Sequence, residues 1–447
     1  MFYRKVMKDL EKWSESPYRK PLLLRGARQV GKTTAVRMFS KSYDCFIELN
    51  LELSNDREIF ETTDDVEKLF ELILLTKGIE GEAKKTLLFI DEIQNSTPAF
   101  KSLRYFYEKL PHIHVIAAGS LLEIYMVKQS PGMAVGRVEN MWMHPMDFEE
   151  YLLAAGQDKL LEYMDTIPYP EHVYALLREN FMDYALIGGM PEAVKVYLET
   201  KNIQSVRKTL ETIVLGYNDD IVKYAHTSQQ AENIRFVWQN IPYNLGRQIS
   251  FNKFAGTNSH TRTIKAAFDI LELSSLIKVL YPYTVHELPA IPNRRKSPKF
   301  LILDTGLLNY IADTQSEYYG AKDLNSIFKG VAMEHIVGQS LLMQLKNMGQ
   351  KLSFWIRDVR SAQAELDYVL PYDKRLIPVE VKAGARGSLK SLLSYMEISG
   401  FEIAVRIYDG DFSIDEISLP NGGSFKLLNL PLPLCTRVYE YIEYALV

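Results

Sequence analysis

Residues Gly26-Ala27-Arg28-Gln29-Val30-Gly31-Lys32-Thr33 read G-x-x-x-x-G-K-T, with Thr34 next, between the apolar run Pro21-Leu22-Leu23-Leu24 and the helix-like stretch Ala35-Val36-Arg37-Met38-Phe39. Glycines at these places let a backbone curl its N–H groups around phosphate oxygens, and the following helix aims its positive end at them. Lys32 would reach the β- and γ-phosphates and Thr33 would offer a hydroxyl to Mg²⁺. A nucleoside triphosphate is the ligand this loop implies. Sixty residues on, Thr86-Leu87-Leu88-Phe89-Ile90-Asp91-Glu92 is an apolar run ending in two acids. A buried parallel strand with carboxylates at its exit fits this pattern. Asp91 would complete the Mg²⁺ shell and Glu92 would polarise the attacking water.

Further candidates carry less information. His114-Val115-Ile116-Ala117-Ala118 runs into Gly119-Ser120, so Ser120 could sense the γ-phosphate, although Gly-Ser after a strand is also ordinary turn chemistry. Arg137, after the Pro131-Gly132 turn, is the candidate arginine finger, the alternative being a surface arginine; Arg28 inside the loop is a lesser candidate.

A second set of charged residues lies far downstream. In Glu365-Leu366-Asp367 and Glu380-Val381-Lys382 the charges sit two apart, so each pair occupies one face of a strand. A turn near Tyr372-Asp373-Lys374 would bring Asp367 beside Glu380 and Lys382. Phosphodiester hydrolysis needs carboxylates to hold Mg²⁺ and a lysine to orient water: Asp367 and Glu380 as ligands, Lys382 as the water-orienting cation, and Glu334 from an earlier helix as a further ligand or as a group that supports the ligands from behind. The expected order is helix (Gly330 to Leu342), three strands (Leu352–Arg357, Glu365–Leu370, Leu376–Lys382), helix (Ser388 to Ile398) and strand (Glu402–Ile407). That is the core order of a restriction-endonuclease-like fold. Two amphipathic strands with solvated outer faces are the alternative.

The elements that must position these groups exceed one ordinary core. At 447 residues the chain predicts about three domains from length alone. With 47% hydrophobic and 24% charged residues and a net charge of −4 it reads as globular, with no overall nucleic-acid charge signature. Only Cys45 and Cys435 occur, which argues against a disulfide framework or a cysteine zinc site and fits the cytoplasm. The charged N-terminus suggests no secretory signal, and no apolar stretch approaches a membrane span.

Charge is uneven, however. From Ala231 to Phe300 ten Lys/Arg face four acids, a net +6 that leaves −10 elsewhere. Within it Ile249–Ala255 reads as a short helix, Gly256–Ser259 as a turn and Ser259–Leu271 as a longer helix. The strand-like Leu276–Tyr281 and Lys299–Leu303 flank the loop Asn293-Arg294-Arg295-Lys296. This is a helix-turn-helix with a wing. His260, Arg262 and Lys265 would meet DNA at the second helix and the wing would contact phosphates, unless the module serves only packing or protein contact. Before it, Met146 to about Val222 repeats apolar residues at helical spacing, broken at Ile187-Gly188-Gly189-Met190-Pro191-Glu192, a corner or hinge.

The chain resembles AAA-type ATPases of an archaeal and bacterial group that carry a winged helix and a C-terminal domain similar to PD-(D/E)xK nucleases. The resemblance rests on Gly26 to Thr34, Phe89-Ile90-Asp91-Glu92-Ile93-Gln94, Gly188-Gly189-Met190-Pro191-Glu192, Lys299 to Leu308, and the Glu365-Leu366-Asp367 and Val379-Glu380-Val381-Lys382 segments. It spans nearly the whole chain and implies ATP binding and hydrolysis. Leu366 stands where the nuclease motif has proline. The expected architecture is α/β: a P-loop NTPase parallel-sheet domain (1–145), a helical subdomain (146–225), a winged helix (226–313) and a nuclease-like domain (314–447). DNA is the expected partner, a membrane is not, and a homo-oligomer is left open. The alternative function is a nucleotide-controlled binding switch with an inactive nuclease-like scaffold. A small-molecule kinase would leave the downstream motifs without a role.

Overall fold

The computed structural model describes residues 1–79, 85–120, 122, 124–125, 136–225, 227–256, 261–313, 330–345, 350–358, 364–382, 384 and 389–447. The backbone gathers into two compact units, Met1–Pro145 with Leu273–Leu276, and Met146–Glu272 with Ile277–Val447.

The first unit is built on five strands, β1 (Leu22–Arg25), β2 (Cys45–Asn50), β3 (Thr86–Asp91), β4 (His114–Ala118) and β5 (Glu139–Trp142). They pair in parallel in the order β2-β3-β4-β1-β5. Strands β1, β3 and β4 are buried along their whole length, which is why their sequences are unbroken apolar runs rather than alternations. Leu23, Ile47, Leu88, Ile90 and Val115 pack with Phe100 and Phe106 of the helix Thr97–Lys109. Because every strand runs the same way, all strand exits share one edge, and the turn after β1 opens there beside the exits of β3 and β4.

The second unit begins with the helices Phe148–Ala154, Tyr174–Ile187, Pro191–Thr200 and Ile203–Tyr224. The helix Ser228–Asn240, a 3₁₀ segment Phe251–Gly256, the helix Thr261–Leu273 and an antiparallel pair, β6 (Ile277–Leu280) and β7 (Lys299–Ile302), follow. The expected short helix over Ile249–Ala255 is thus a kinked 3₁₀ turn: Lys253 and Phe254 leave helical geometry and Ala255 has φ 52°. His260 and Thr257 to Ser259, like Pro131, Gly132 and Ser388, lie outside the described residues.

The helix Gly330–Met343 leads into β8 (Ser353–Ile356), β9 (Glu365–Tyr372) and β10 (Arg375–Lys382), then the helix Lys390–Ser399, β11 (Ile403–Tyr408), β12 (Ser413–Ser418), β13 (Ser424–Pro431) and the helix Val438–Leu446. The sheet order is β12-β13-β11-β10-β9-β8. Strands β8, β9 and β10 are antiparallel neighbours, and β10, β11 and β13 are parallel. The expected helix–three strands–helix–strand succession is therefore present, extended by the β12–β13 hairpin.

The segment between β6 and β7 does not project freely as a wing. Tyr283 N donates to Phe354 O at 2.8 Å and Ile356 N to Tyr283 O at 3.1 Å, while Leu288 N donates to Lys374 O and Leu376 N to His286 O. Tyr283, Leu288 and Ala290 join Trp355, Leu366 and Tyr395 in one apolar cluster. The backbone of this connection finds its partners on the C-terminal sheet, as buried N–H and C=O groups require.

Candidate functional site

The loop after β1 is shaped by three unusual backbone positions. Gly26 has φ 140°, and a Cβ there would lie 2.2 Å from Met143 O. Gln29 has φ 65°, and Gly31, at φ 96°, caps the helix Lys32–Phe39. Left-handed geometry at Gly31 turns the chain so that successive N–H groups face inward. Arg4 clamps the loop from outside it, its guanidinium donating to Val30 O at 2.7 Å and His144 O at 2.6 Å. Nothing in its spacing marks Arg4, which lies 26 residues from its loop partner.

Lys32 is buried, and its Nζ donates to Gly26 O at 2.9 Å and Ala27 O at 2.8 Å. Burial lowers its pKa to about 8, against the pull of Glu92 and Asp91 and with help from the positive Arg28. An ammonium held among carbonyls gains most from an anion. Thr33 Oγ1 donates to Asp91 Oδ2 at 2.7 Å, and burial raises the Asp91 pKa despite that bond. Hydroxyl and carboxylate side by side at the helix start form a hard oxygen set that suits Mg²⁺. Within the loop Ala27 and Val30 are buried, Arg28 half-buried, and Gln29 and Thr34 exposed.

Glu92 follows the strand in a left-handed conformation, φ 53°. Its carboxylate accepts from Gln94 Nε2. Gln94 also sits against the turn after β4, where a Cβ on Gly119 would meet Gln94 Oε1 at 2.0 Å. Gln94 therefore orients Glu92 and touches the backbone leading to Ser120, which leaves the strand between β1 and β3. Sequence reading gave Gln94 no role.

Arg137 needs correction as the finger of its own loop. Its Nε pairs with Glu108 at 3.2 Å. Two residues later Glu139 pairs with Leu22, the first residue of β1, whereas the loop follows Arg25 at the other end. The intervening strand is about 10 Å long at roughly 3.3 Å per residue, so Arg137 stands at the entry edge of the sheet and the phosphate loop at its exit edge.

In the second unit β9 and β10 pair in register from Arg375↔Tyr372 to Val379↔Tyr368. Beyond that, the Asp367 side chain accepts from Val381 N at 2.8 Å. Glu380 and Lys382 share a face and form an ion pair at 2.5 Å. Burial and then the neighbouring Asp367 raise the Glu380 pKa to about 7, and among the described residues its Oε2 finds no hydrogen-bond partner. Glu334, from the helix Gly330–Met343, is raised to about 7 by burial, with Lys299 opposing and Asp367 reinforcing. The sequence thus anticipated the meeting of Glu334, Asp367, Glu380 and Lys382.

It did not anticipate Lys299. This residue of β7 reaches Glu365 Oε1 at 2.6 Å and Glu334 Oε1 at 3.0 Å with only 4% of its side chain exposed. Burial pulls its pKa down, but Glu334, Glu365 and Asp367 together hold it above its ordinary value. Two other cations of the basic module are also paired, Lys296 with Asp358 at 2.5 Å and Lys278 with Glu272 at 3.2 Å. Arg262, Lys265, Arg294 and Arg295 are exposed. Among the described residues, no group of three or more His, Cys, Asp or Glu is arranged to hold a metal ion.

The Gly188-Gly189 corner packs against the start of the helix Thr305–Ile311. Buried Asp304 caps that helix and accepts from Gly189 N at 2.6 Å. A Cβ on Gly188 would lie 2.2 Å from Asp304 Oδ1, and one on Gly306 2.0 Å from Ile187 O. Both motifs are two halves of one buried contact.

Comparison with known proteins agrees with the loop geometry. A family model described as an AAA domain matches residues 18–152. Two described as domains of unknown function, DUF8612 and DUF4143, match residues 178–318 and 329–430. The chain is similar to the uncharacterized protein MJ1637 of Methanocaldococcus jannaschii, 24% identical over 417 residues that cover 88% of this chain and 82% of that one. Similar solved structures include the Walker-type ATPase paby2304 of Pyrococcus abyssi, at 16% identity and TM-score 0.46, covering 70% of this chain and 96% of that one. Another is the ORC2 protein of Aeropyrum pernix in ADPNP–ADP complexes, at 11% identity and TM-score 0.39, covering 72% and 96%. Residues 18–152 form an AAA-type P-loop domain. Among the described residues, no helix is long and apolar enough to cross a membrane.

Proposed function

We propose that the protein is a Mg²⁺-dependent ATPase whose turnover is coupled to DNA contact by its basic module. The observation that carries the ATPase reading is Lys32: a buried ammonium whose hydrogen-bonding partners are loop carbonyls, beside Thr33 and Asp91. Lys32 and the loop N–H groups hold the β- and γ-phosphates, and Ser120, just after the strand between β1 and β3, acts as the γ-phosphate sensor. Thr33 and Asp91 would hold Mg²⁺, which would supply a counter-charge to the phosphates. Glu92, oriented by Gln94, takes the proton of the attacking water. An arginine finger, if the reaction uses one, comes from Arg28 or from a second copy of the chain.

DNA contact is supported by the exposed Arg262 and Lys265 at the start of one helix and by exposed Arg294 and Arg295. The reading of the C-terminal domain as related to PD-(D/E)xK nucleases is supported by its helix–three strands–helix–strand order and by Asp367 beside Glu380. Buried Lys299 among those carboxylates favours its service as a non-cutting scaffold in a nucleotide-controlled switch. One assay separates these readings: ATP turnover with and without DNA, with DNA cleavage scored in the same Mg²⁺ samples. DNA-stimulated turnover without cleavage supports the switch. Cleavage abolished by Asp367→Ala or Lys382→Ala, with turnover intact, would restore an active nuclease, and an absence of ATP turnover would overturn the main proposal.

A further inference from the structure

We infer that Lys299 is the built-in counter-cation of the C-terminal carboxylate cluster and keeps that cluster closed to divalent cations. The inference rests on the non-cutting reading of this domain given above, because cleavage through Asp367 and Glu380 would need the divalent ion that Lys299 excludes.

Four acids converge from three elements: Glu334 from the helix Gly330–Met343, Glu365 and Asp367 from β9, and Glu380 from β10. Lys382 lies at the Glu380 side and makes its ion pair there. Lys299 enters from β7, outside this sheet, and bonds Glu365 and Glu334 at 2.6 and 3.0 Å. Its Nζ also lies 5.3 Å from the Phe354 ring centre. Glu365 is held on its other oxygen by Gln248 at 2.6 Å. A small cavity adjoins the cluster on one side, lined by Gly246, Lys299, Glu334 and Tyr368. The Lys299 ammonium already occupies the place between Glu334 and Glu365 that a divalent cation would take.

The placement of Lys299 is firmly determined. His335 Nε2 lies 3.1 Å from both the N and O of Ile302, three residues along β7. Tyr368 OH donates to Glu334 O at 2.8 Å, and Gly338 makes room for that ring, since a Cβ there would lie 2.3 Å from the Tyr368 hydroxyl. The helix bearing Glu334, β7 and β9 are thus tied together around the ammonium. Two oxygens at 2.6 to 3.0 Å from one buried cation leave little reason for a second cation at the same carboxylates. Replacing the ammonium by an uncharged side chain of similar length leaves Glu334, Glu365 and Asp367 facing one another with no counter-charge. Hard carboxylate oxygens in that state favour a divalent ion.

The test compares the nucleotide-free full-length protein with Lys299→Met, titrated with Mn²⁺ while free ion is followed by electron paramagnetic resonance. Lys299→Met should bind one Mn²⁺ at least about tenfold more tightly than the unaltered protein, as expected from removing a positive charge at ion-pair distance. Adding Asp367→Asn should abolish the gain, and Lys299→Arg should show none. If Lys299→Met is unfolded in chelator, Mn²⁺ should restore its circular dichroism and thermal transition, with the recovery lost on adding Asp367→Asn. The inference is overturned if the unaltered protein already binds Mn²⁺ through Asp367 as tightly as the variant. It is equally overturned if a folded variant gains no ion, or an unfolded one is not restored by Mn²⁺.

Discussion

Lys32 and Lys299 are both buried lysines, at 8% and 3% exposure, and their surroundings are opposite. Lys32 hydrogen-bonds two carbonyls of its own loop, and its pKa falls to about 8. Lys299 pairs with two carboxylates beside a third, and its pKa rises above the usual lysine value. The same desolvation acts on both. Only Lys299 has opposite charges at contact distance to offset it, so the loop is built to receive an anion and the C-terminal cluster has already received its cation. A buried charge thus marks a ligand site only when its counter-charge is missing from the chain.

The largest expected effect breaks the first half of this contrast. Lys32→Ala should reduce ATP turnover by at least about 100-fold, because the loop loses its one inward charge; turnover close to that of the unaltered protein in a steady-state assay would remove the loop from the active site. Glu92→Gln should keep nucleotide affinity while slowing hydrolysis by about 100-fold, the usual worth of a positioned base. Equilibrium binding and single-turnover rates separate the two variants.

Stability tests the contrast directly. Lys299→Met should destabilise the second unit by about 3–5 kcal/mol, the cost of leaving buried partners uncompensated, whereas Lys32→Met should change the nucleotide-free protein by less than about 1 kcal/mol. Urea denaturation of the two variants gives the comparison, and equal losses would refute it.

A smaller effect concerns the basic loop. Replacing Arg294, Arg295 and Lys296 together should flatten the salt dependence of DNA binding by about two units rather than three, because Lys296 is already paired with Asp358. A salt titration that loses three units would show that DNA displaces Asp358.

The smallest is a pH effect at Asp304, a buried carboxylate whose neutralisation is favoured in the fold. Burial raises its pKa to about 6, against the hydrogen bonds from Gly189, Leu307 and Gly306. A folded-state value above the unfolded one adds stability at low pH that is lost as pH rises through about 6. The stability advantage of the unaltered protein over Asp304→Asn should therefore shrink between pH 5 and pH 8. An advantage that grows with pH would mean that the carboxylate is better held charged than neutral.

The phosphate loop was legible because its information is contiguous. Gly26 to Thr33 carries the turn, the lysine and the helix start within eight residues, and β3 delivers Asp91 and Glu92 through an apolar run that can only be a buried strand. The two-residue spacing in Glu365-Leu366-Asp367 and Glu380-Val381-Lys382 likewise fixes which side chains share a face, since strand geometry alternates strictly. Those local periods carried the element types and the meeting of Asp367 with Glu380.

Long-range pairing left no such trace. Arg137 read as a finger candidate from its place after the Pro131-Gly132 turn, yet the parallel pairing of β5 with β1 puts it at the opposite end of the sheet from its own phosphate loop. Asp304 meets Gly189 across 115 residues. Lys299 read as one cation of a basic patch, and its actual partners are 35 and 66 positions away. Spacing along a chain encodes the direction a side chain takes from its own backbone. Which opposite charge it meets depends on how separate elements stack, and that order was decided by burying the apolar faces of the sheets, to which the charges contributed little.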